Sequence, residues 1–361
     1  MHYRFEFCPY QRRFKPPIQT NHGIWEVRDG IIVRLTEKKQ GKQGGNCDKS
    51  IGYGEIAPIS WFGSETIEQA LDFCRQLPDE ITQKTIFSIP DQLPACQFGL
   101  ESAWENLVAE VQGGSGAEVQ GGRGAEVQGG QLTPHPSSLI PHPSPLTPHP
   151  SPLTYSGLLP AGKAALQAWQ KLWNQGYRTF KWKIGVYPIA EELDIFDLLT
   201  LALPEAKLRL DANGGLDYDE ANLWLYTCDN VRANHKLPVE IEFIEQPLSV
   251  ELERMQELSY FYATAIALDE SVATLAQLEA CYQQGWRGIF VIKPGIAGSP
   301  KRLRQFCQVH KIDAVFSSVF ESTVGRQAAL KLAVELSNNN RAVGFGVNHC
   351  FDLDEQKLIW H

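Results

Sequence analysis

The sequence has no apolar run near the ~20 residues that a membrane-spanning helix needs; its hydrophobic residues are spread along the chain. Its start, Met1-His2-Tyr3-Arg4-Phe5-Glu6-Phe7, lacks a basic stretch followed by an apolar one, so no signal peptide is read there. The eight cysteines form no CxxC pair and no cluster. That scatter argues against structural zinc and for free thiols in a reducing cytosol. Positive charge is the scarcer sign: 33 Lys and Arg stand against 42 Asp and Glu, a net charge of −9. Nucleic acid and an anionic membrane surface are therefore poor partners. An anionic small molecule would have to be drawn in by local positive charge. No GxGxxG follows an early strand-like run, which leaves an open dinucleotide-binding sheet without its main support.

What is present is a globular composition, 361 residues with 43% hydrophobic and 21% charged. That is enough for one large domain or two. Residues 1–108 mix short strand-like and helix-like stretches and read as an α+β domain. The run 25–35 is β-branched and aromatic around Asp29-Gly30, which predicts a turn at that pair. The Gly/Lys-rich stretch 41–54 predicts a hairpin or loop, either a lid or a plain surface feature. Ser64 is placed to cap a helix with acids in its first turn. Residues 98–107 predict a second amphipathic helix.

The composition then changes. An eight-residue unit repeats as AEVQGGSG, AEVQGGRG and AEVQGGQL, followed by a Pro/His/Ser tract. Neither can bury enough apolar surface to offset chain entropy. Residues 109–154 therefore read as a disordered insertion. His135, His142 and His149 recur every seven residues. Duplicated low-complexity sequence explains that spacing more simply than a metal site.

From 155 to 361 the texture is regular. Strand-like runs fall at 156–159, 179–184, 207–210, 241–244, 265–268, 288–292, 314–319 and 342–345. Helical patterns such as 161–175 and 271–284 separate most of them. Strands alternating with helices predict parallel βαβ units, and eight of them predict a TIM-like (β/α) barrel of the α/β class. In such a barrel the active site lies at the C-terminal strand ends. Here those ends carry Lys181 and Lys183, then Asp211, Glu245, Asp269 and Lys293. Converging carboxylates make an all-oxygen site for a hard cation, Mg²⁺ or Mn²⁺. With no Cys or His among them, zinc is disfavoured. Lys181 and Lys183 are two apart, so they share a strand face. Neighbouring ammoniums depress each other's pKa, which would bring a lysine towards general-base duty. Lys293 would enter from the opposite wall. Arg209 shares the face of Asp211 and could hold a substrate carboxylate or pair with the acids. Asn213 would support the ligands from behind. Ser317 and Ser318 end the seventh strand and could receive a substrate carboxylate or simply satisfy local backbone groups.

These residues carry a resemblance. Lys181-Trp182-Lys183, Leu210-Asp211-Ala212-Asn213, Ile244-Glu245-Gln246-Pro247, Leu268-Asp269-Glu270-Ser271 and Ile292-Lys293-Pro294 resemble the ordered motifs of the enolase superfamily, muconate-lactonising subgroup. Gly157-Leu158-Leu159-Pro160-Ala161-Gly162, Ser317-Ser318-Val319-Phe320-Glu321-Ser322, Gly52-Tyr53-Gly54-Glu55-Ile56-Ala57-Pro58 and Phe62-Gly63-Ser64-Glu65-Thr66 are similar to the o-succinylbenzoate synthase family within it. The resemblance implies an N-terminal α+β capping domain over a (β/α)7β barrel, with a C-terminal tail returning towards the cap. It implies Mg²⁺ held by Asp211, Glu245 and Asp269, with Lys183 as general base and Lys293 stabilising an enediolate. The implied reaction is a syn dehydration of a cyclohexadiene carboxylate on the route to menaquinone or phylloquinone. A dipeptide epimerase or N-acylamino acid racemase would use the same scaffold, and a non-catalytic binding barrel stands as a different class.

Overall fold

The computed structural model describes residues 1–20, 23–37, 50–113, 153–234, 237–337, 341–347 and 350–351. The proposed insertion falls almost wholly outside them, as do most of the 41–54 stretch and the tail beyond 351. The N-terminal unit runs β1 (His2–Thr20), β2 (Gly23–Glu37), β3 (Ile51–Ile56), α1 (Ile67–Gln76), β4 (Glu80–Thr82), α2 (Gln83–Ile86) and α3 (Pro94–Gly113). Its sheet is antiparallel in the order β3-β2-β1-β4. Ile31, Val33 and Leu35 alternate along β2 and are wholly buried in the core shared with Leu100, Ala103 and Leu107 of α3. Pairing of β1 with β2 shifts between Arg13 and Ile18, where Pro16 and Pro17 supply no N–H.

Three local expectations need correction here. Asp29-Gly30 does not turn: β2 runs straight through it, with Asp29 opposite Gln11 and Gly30 opposite Tyr10. Glycine is required there because a Cβ would collide with the Tyr10 ring. The glycines of 41–54 that are described, Gly52 and Gly54, lie inside β3. Helix α3 crosses so closely that a Cβ on Gly54 would run into the Gly99 carbonyl. Ser64 does not cap α1 either. Thr66 does, in a capping box with Gln69, while the Ser64 hydroxyl accepts the Ile59 N–H at 2.7 Å.

The C-terminal unit is a barrel. Its order is β5 (Tyr155–Leu159), α4 (Ala165–Asn174), β6 (Thr179–Lys183), α5 (Ile189–Ala202), β7 (Lys207–Asp211), α6 (Tyr218–Ala233), β8 (Glu240–Glu245), α7 (Leu252–Phe261) and β9 (Ile266–Leu268). It continues through α8 (Leu275–Gln283), β10 (Ile289–Ile292), α9 (Pro294–Ala297), α10 (Pro300–His310), β11 (Ala314–Phe316), α11 (Thr323–Leu336) and β12 (Val343–Gly346). All eight strands are parallel in the order β11-β10-β9-β8-β7-β6-β5-β12. A bridge between Ser317 and Gly344 joins β11 to β12 and closes the ring. The expected (β/α)7β architecture is therefore present.

Alternation along each strand sorts side chains by face. Phe180 and Trp182 point out to the helices, where Trp182 meets Trp224 of α6 edge-on at 6.2 Å. Phe243, Ala267, Ile289, Val291 and Val315 fill the interior beneath the lysines and acids. Buried charges stitch the cap to the barrel, among them Arg28 and Glu55. Arg28 donates to the carbonyls of Val319, Pro58 and Ala57. Glu55 accepts from Tyr10 Oη, Ser322 N and Oγ, and Gly325 N at the start of α11. Beyond β12, Phe351 stacks on Phe14 of β1, centroids 4.7 Å apart.

Candidate active site

Register places the charges. Lys183, Asp211 and Glu245 are successive Cα partners across β6, β7 and β8, so they form one layer. Asp269 lies one residue past β9 and Lys293 one past β10. Lys181, Arg209 and Phe243 form the layer below. All three carboxylate side chains are 2% exposed, and the lysines are 11–16% exposed. Lys181 Nζ bridges Asp211 Oδ2 at 3.0 Å and Glu245 Oε1 at 2.8 Å. Lys183 Nζ lies 3.4 Å from Asp211 Oδ2 and donates to Asn213 Oδ1. Lys293 Nζ pairs with Asp269 from the other side.

Burial pushes the Lys181 pKa down, but Asp211 and Glu245 outweigh it and hold the group raised. The expected mutual depression of neighbouring ammoniums is therefore overridden at Lys181, because carboxylates stand closer to it than ammonium repulsion can offset. Glu245 is pushed up to about 8 by burial and by Asp211 and Asp269, against the pull of Lys181. Burial also raises Asp269, which faces Glu270. A buried carboxylate crowded by two others is relieved by a cation, so these oxygen donors fit a hard divalent metal. As they stand, among the described residues, no three His, Cys, Asp or Glu side chains form a ready cage. Lysine ammoniums supply the counter-charge instead.

The neighbouring residues set these positions. Gln246 is fully buried; its Oε1 accepts from Asp269 N at 3.0 Å and Ser271 N at 3.2 Å, which ties the exit of β9 to that of β8. Asn213 Nδ2 donates to Glu270 Oε1 at 2.9 Å, so its carbonyl oxygen is the end turned to Lys183. Glu270 Oε2 has no hydrogen-bond partner among the described residues. Asn213 and Gln246 both take positive φ, 46° and 39°, at these strand exits. Gln246, Glu270 and the cap residues Arg28 and Glu55 are given no role from the sequence. Gln246, Glu270 and Glu55 lie within the motifs that carry the family resemblance, and that adjacency is their only mark in the sequence.

A cavity of about 90 Å³ opens above the charges, lined by Lys181, Lys183, Asp211, Asn213, Asp269 and Lys293 from the barrel. Trp25, Trp61 and Phe62 from the cap, with Phe320, make its aromatic side. A second cavity of about 450 Å³ adjoins it at Ile18, Leu158 and Lys183. Ser317 and Ser318 line the first cavity. The Ser318 hydroxyl is already engaged with Glu321 at 2.9 Å, whereas among the described residues Ser317 Oγ makes a long contact, 3.5 Å, to Gly344 O. Arg209 is not brought to the cavity. Its Nε donates to Glu242 Oε2 at 2.7 Å and its guanidinium lies over Phe243 at 4.9 Å, one layer down. Of its two expected roles, the geometry provides pairing with an acid, and that acid is Glu242.

Fold and site together define a capped barrel with a cavity between facing lysines, over buried carboxylates. Comparison with known proteins gives the family. The family described as "Enolase C-terminal domain-like" matches residues 164–358, and "MenC, N-terminal domain" matches 10–107. The o-succinylbenzoate synthase of Thermosynechococcus vestitus is 36% identical over 96% of this chain and 92% of its own length. That of Pasteurella multocida is 28% identical over 93% and 87%. The crystal structure of o-succinylbenzoate synthase from Thermosynechococcus elongatus, complexed with Mg in the active site, superposes with a TM-score of 0.74 at 34% identity. The match covers 97% of this chain and 94% of that one. An L-Ala-D/L-Glu epimerase from Bacillus subtilis, TM-score 0.68 at 17% identity over 97% and 91%, shares the fold. The chain belongs to the o-succinylbenzoate synthase family of the enolase superfamily.

Proposed function

We propose that the chain is a carbon–oxygen lyase that dehydrates 2-succinyl-6-hydroxy-2,4-cyclohexadiene-1-carboxylate to o-succinylbenzoate, a step towards menaquinone or phylloquinone. The observation that carries this reading is Lys183 and Lys293 reaching one cavity above three buried carboxylates on consecutive strand ends. Asp211, Glu245 and Asp269 would hold Mg²⁺, or Mn²⁺ in its place. When bound, the cation draws charge from the substrate carboxylate and acidifies the neighbouring C–H.

Lys183 takes that proton. The C–H electron pair moves into the carboxylate as an enediolate, and the Lys293 ammonium offsets the new negative charge. Lys183, now protonated, returns the proton to the departing hydroxyl on the same face, which gives water and the aromatic ring. Asn213, oriented by Glu270, offers Lys183 an acceptor and, with Asp211 on the neighbouring strand, fixes where the amine meets the substrate. Lys181 stays charged between Asp211 and Glu245 and keeps both carboxylates in place. The two adjoining cavities give room for a ring and a succinyl arm, with Ser317 available to the arm's carboxylate. Residues 109–154 take no part in this chemistry, which proceeds in the reducing cytosol. No helix among the described residues is long and apolar enough to cross a membrane.

Lys183→Ala tests the assignment. Turnover should fall by about 10⁴-fold or more, the upper end for a general base, with Mg²⁺ affinity nearly unchanged. Substantial residual dehydration would remove Lys183 from the role of base. Efficient exchange of the α-proton in N-acylamino acids, without dehydration, would favour the racemase reading.

A further inference from the structure

Phe62 has no part in the steps above, yet its ring is built into the site. It ends the short turn Ser60–Phe62 after β3, in the cap. Phe62 N–H donates to Ile59 O at 3.0 Å and Gly63 N–H to Ser60 O at 3.2 Å. Ile59 N–H donates to Ser64 Oγ at 2.7 Å. The ring is 5% exposed, in a core cluster that includes Ile296 and Val319 of the barrel. Trp61 stands edge-on to it at 5.9 Å. Lys293 Nζ lies 4.0 Å from the Phe62 ring centroid.

We infer that Phe62 is a positioning residue for the reaction: its π face holds the Lys293 ammonium at the wall where negative charge develops. The inference rests on the proposed role of Lys293. An aromatic face attracts a cation within about 6 Å through its quadrupole. The same Nζ pairs with the Asp269 carboxylate. That carboxylate is one a divalent cation would also claim, because hard cations seek oxygen. The ring offers no oxygen, so its attraction stays with the lysine. A leucine would fill much of the same space and supply no such potential. The cap thereby contributes an electrostatic part to chemistry whose charged groups all come from the barrel.

The test is a series in the full-length chain with mono-, di- and trifluorophenylalanine at position 62. Fluorine lowers the ring's negative potential stepwise and changes its size little. The expected result is a stepwise fall in kcat that reaches about tenfold at the trifluorinated ring, mid-range for a partly desolvated cation–π pair. KM and the Mg²⁺ dissociation constant, the latter read by calorimetry without substrate, should stay within about twofold. Phe62→Leu should lose as much, and Phe62→Tyr should retain activity. A kcat that is flat across the fluorinated series of an active enzyme overturns the inference, even if Phe62→Leu is impaired, because the ring then acts through volume. No dehydration by the unmodified chain would overturn the reaction reading itself and take the inference with it.

Discussion

Replacing Glu55 by glutamine should loosen the joint between cap and barrel, by an amount the hydrogen bonds determine. Oε1 accepts from Tyr10 Oη and from Ser322 N at 2.8 Å; Oε2 accepts from Ser322 Oγ and from Gly325 N at 2.9 Å. Glutamine keeps one oxygen and turns the other into a donor. The two hydroxyls can rotate to accept, but a backbone N–H cannot. Whichever way the amide sits, either Ser322 N or Gly325 N is buried facing another N–H. One such orphan costs about 1–3 kcal/mol, and the remaining bonds lose their charge assistance, roughly 1 kcal/mol more. The total is about 3 kcal/mol. For a chain of 361 residues unfolding with about 2.1 cal/mol/K per residue, that lowers Tm by roughly 4 °C. Ser322→Ala removes the capping hydroxyl and leaves both N–H bonds to Glu55, so it should cost only about 1 kcal/mol. Differential scanning calorimetry of both variants gives the comparison. The same carboxylate fixes the segment between Ser317 and α11, so KM should rise in Glu55→Gln more than kcat falls. Equal Tm values for Glu55→Gln and the parent would refute the clamp, as would a larger loss in Ser322→Ala.

Other expectations concern charge. Asp211→Asn should weaken Mg²⁺ binding by about tenfold or more, judged from what a lost charged ligand contact is worth; calorimetry that finds unchanged affinity would move Asp211 out of the metal site. Glu242 is buried, which raises its pKa, but Arg209 and Arg341 outweigh that and hold it lowered. A lowered carboxyl contributes stability that is full above its ordinary value of 4.5 and is lost as pH falls through the folded value. The Tm difference between the parent and Glu242→Gln should therefore be constant at neutral pH and shrink as pH drops below 4.5. A gap that widened in acid would show the sign to be wrong.

The barrel was legible because its strands carry two independent signals, apolar runs spaced by helical patterns and a charge at the exit of five consecutive ones, β6 to β10. Those exits gave the metal and lysine candidates before any contact was known. The cap was less legible for physical reasons. Gly30 and Gly54 look like turn residues, but each is small because something packs against it, a tyrosine ring in one case and a helix backbone in the other. Close packing between distant segments leaves no local mark. Arg209 shows the limit of face-counting: alternation placed it correctly inside the barrel, yet its layer and Glu242 decided what it does. Phe62, Gln246 and Glu270 act through partners far away in sequence, so periodicity could not single them out.

The most direct test is an assay of o-succinylbenzoate formation from the purified chain before and after exhaustive chelation with EDTA. Formation should stop on chelation and return when Mg²⁺ is added. Turnover that survives chelation would contradict the claim that a cation held by Asp211, Glu245 and Asp269 readies the substrate for Lys183.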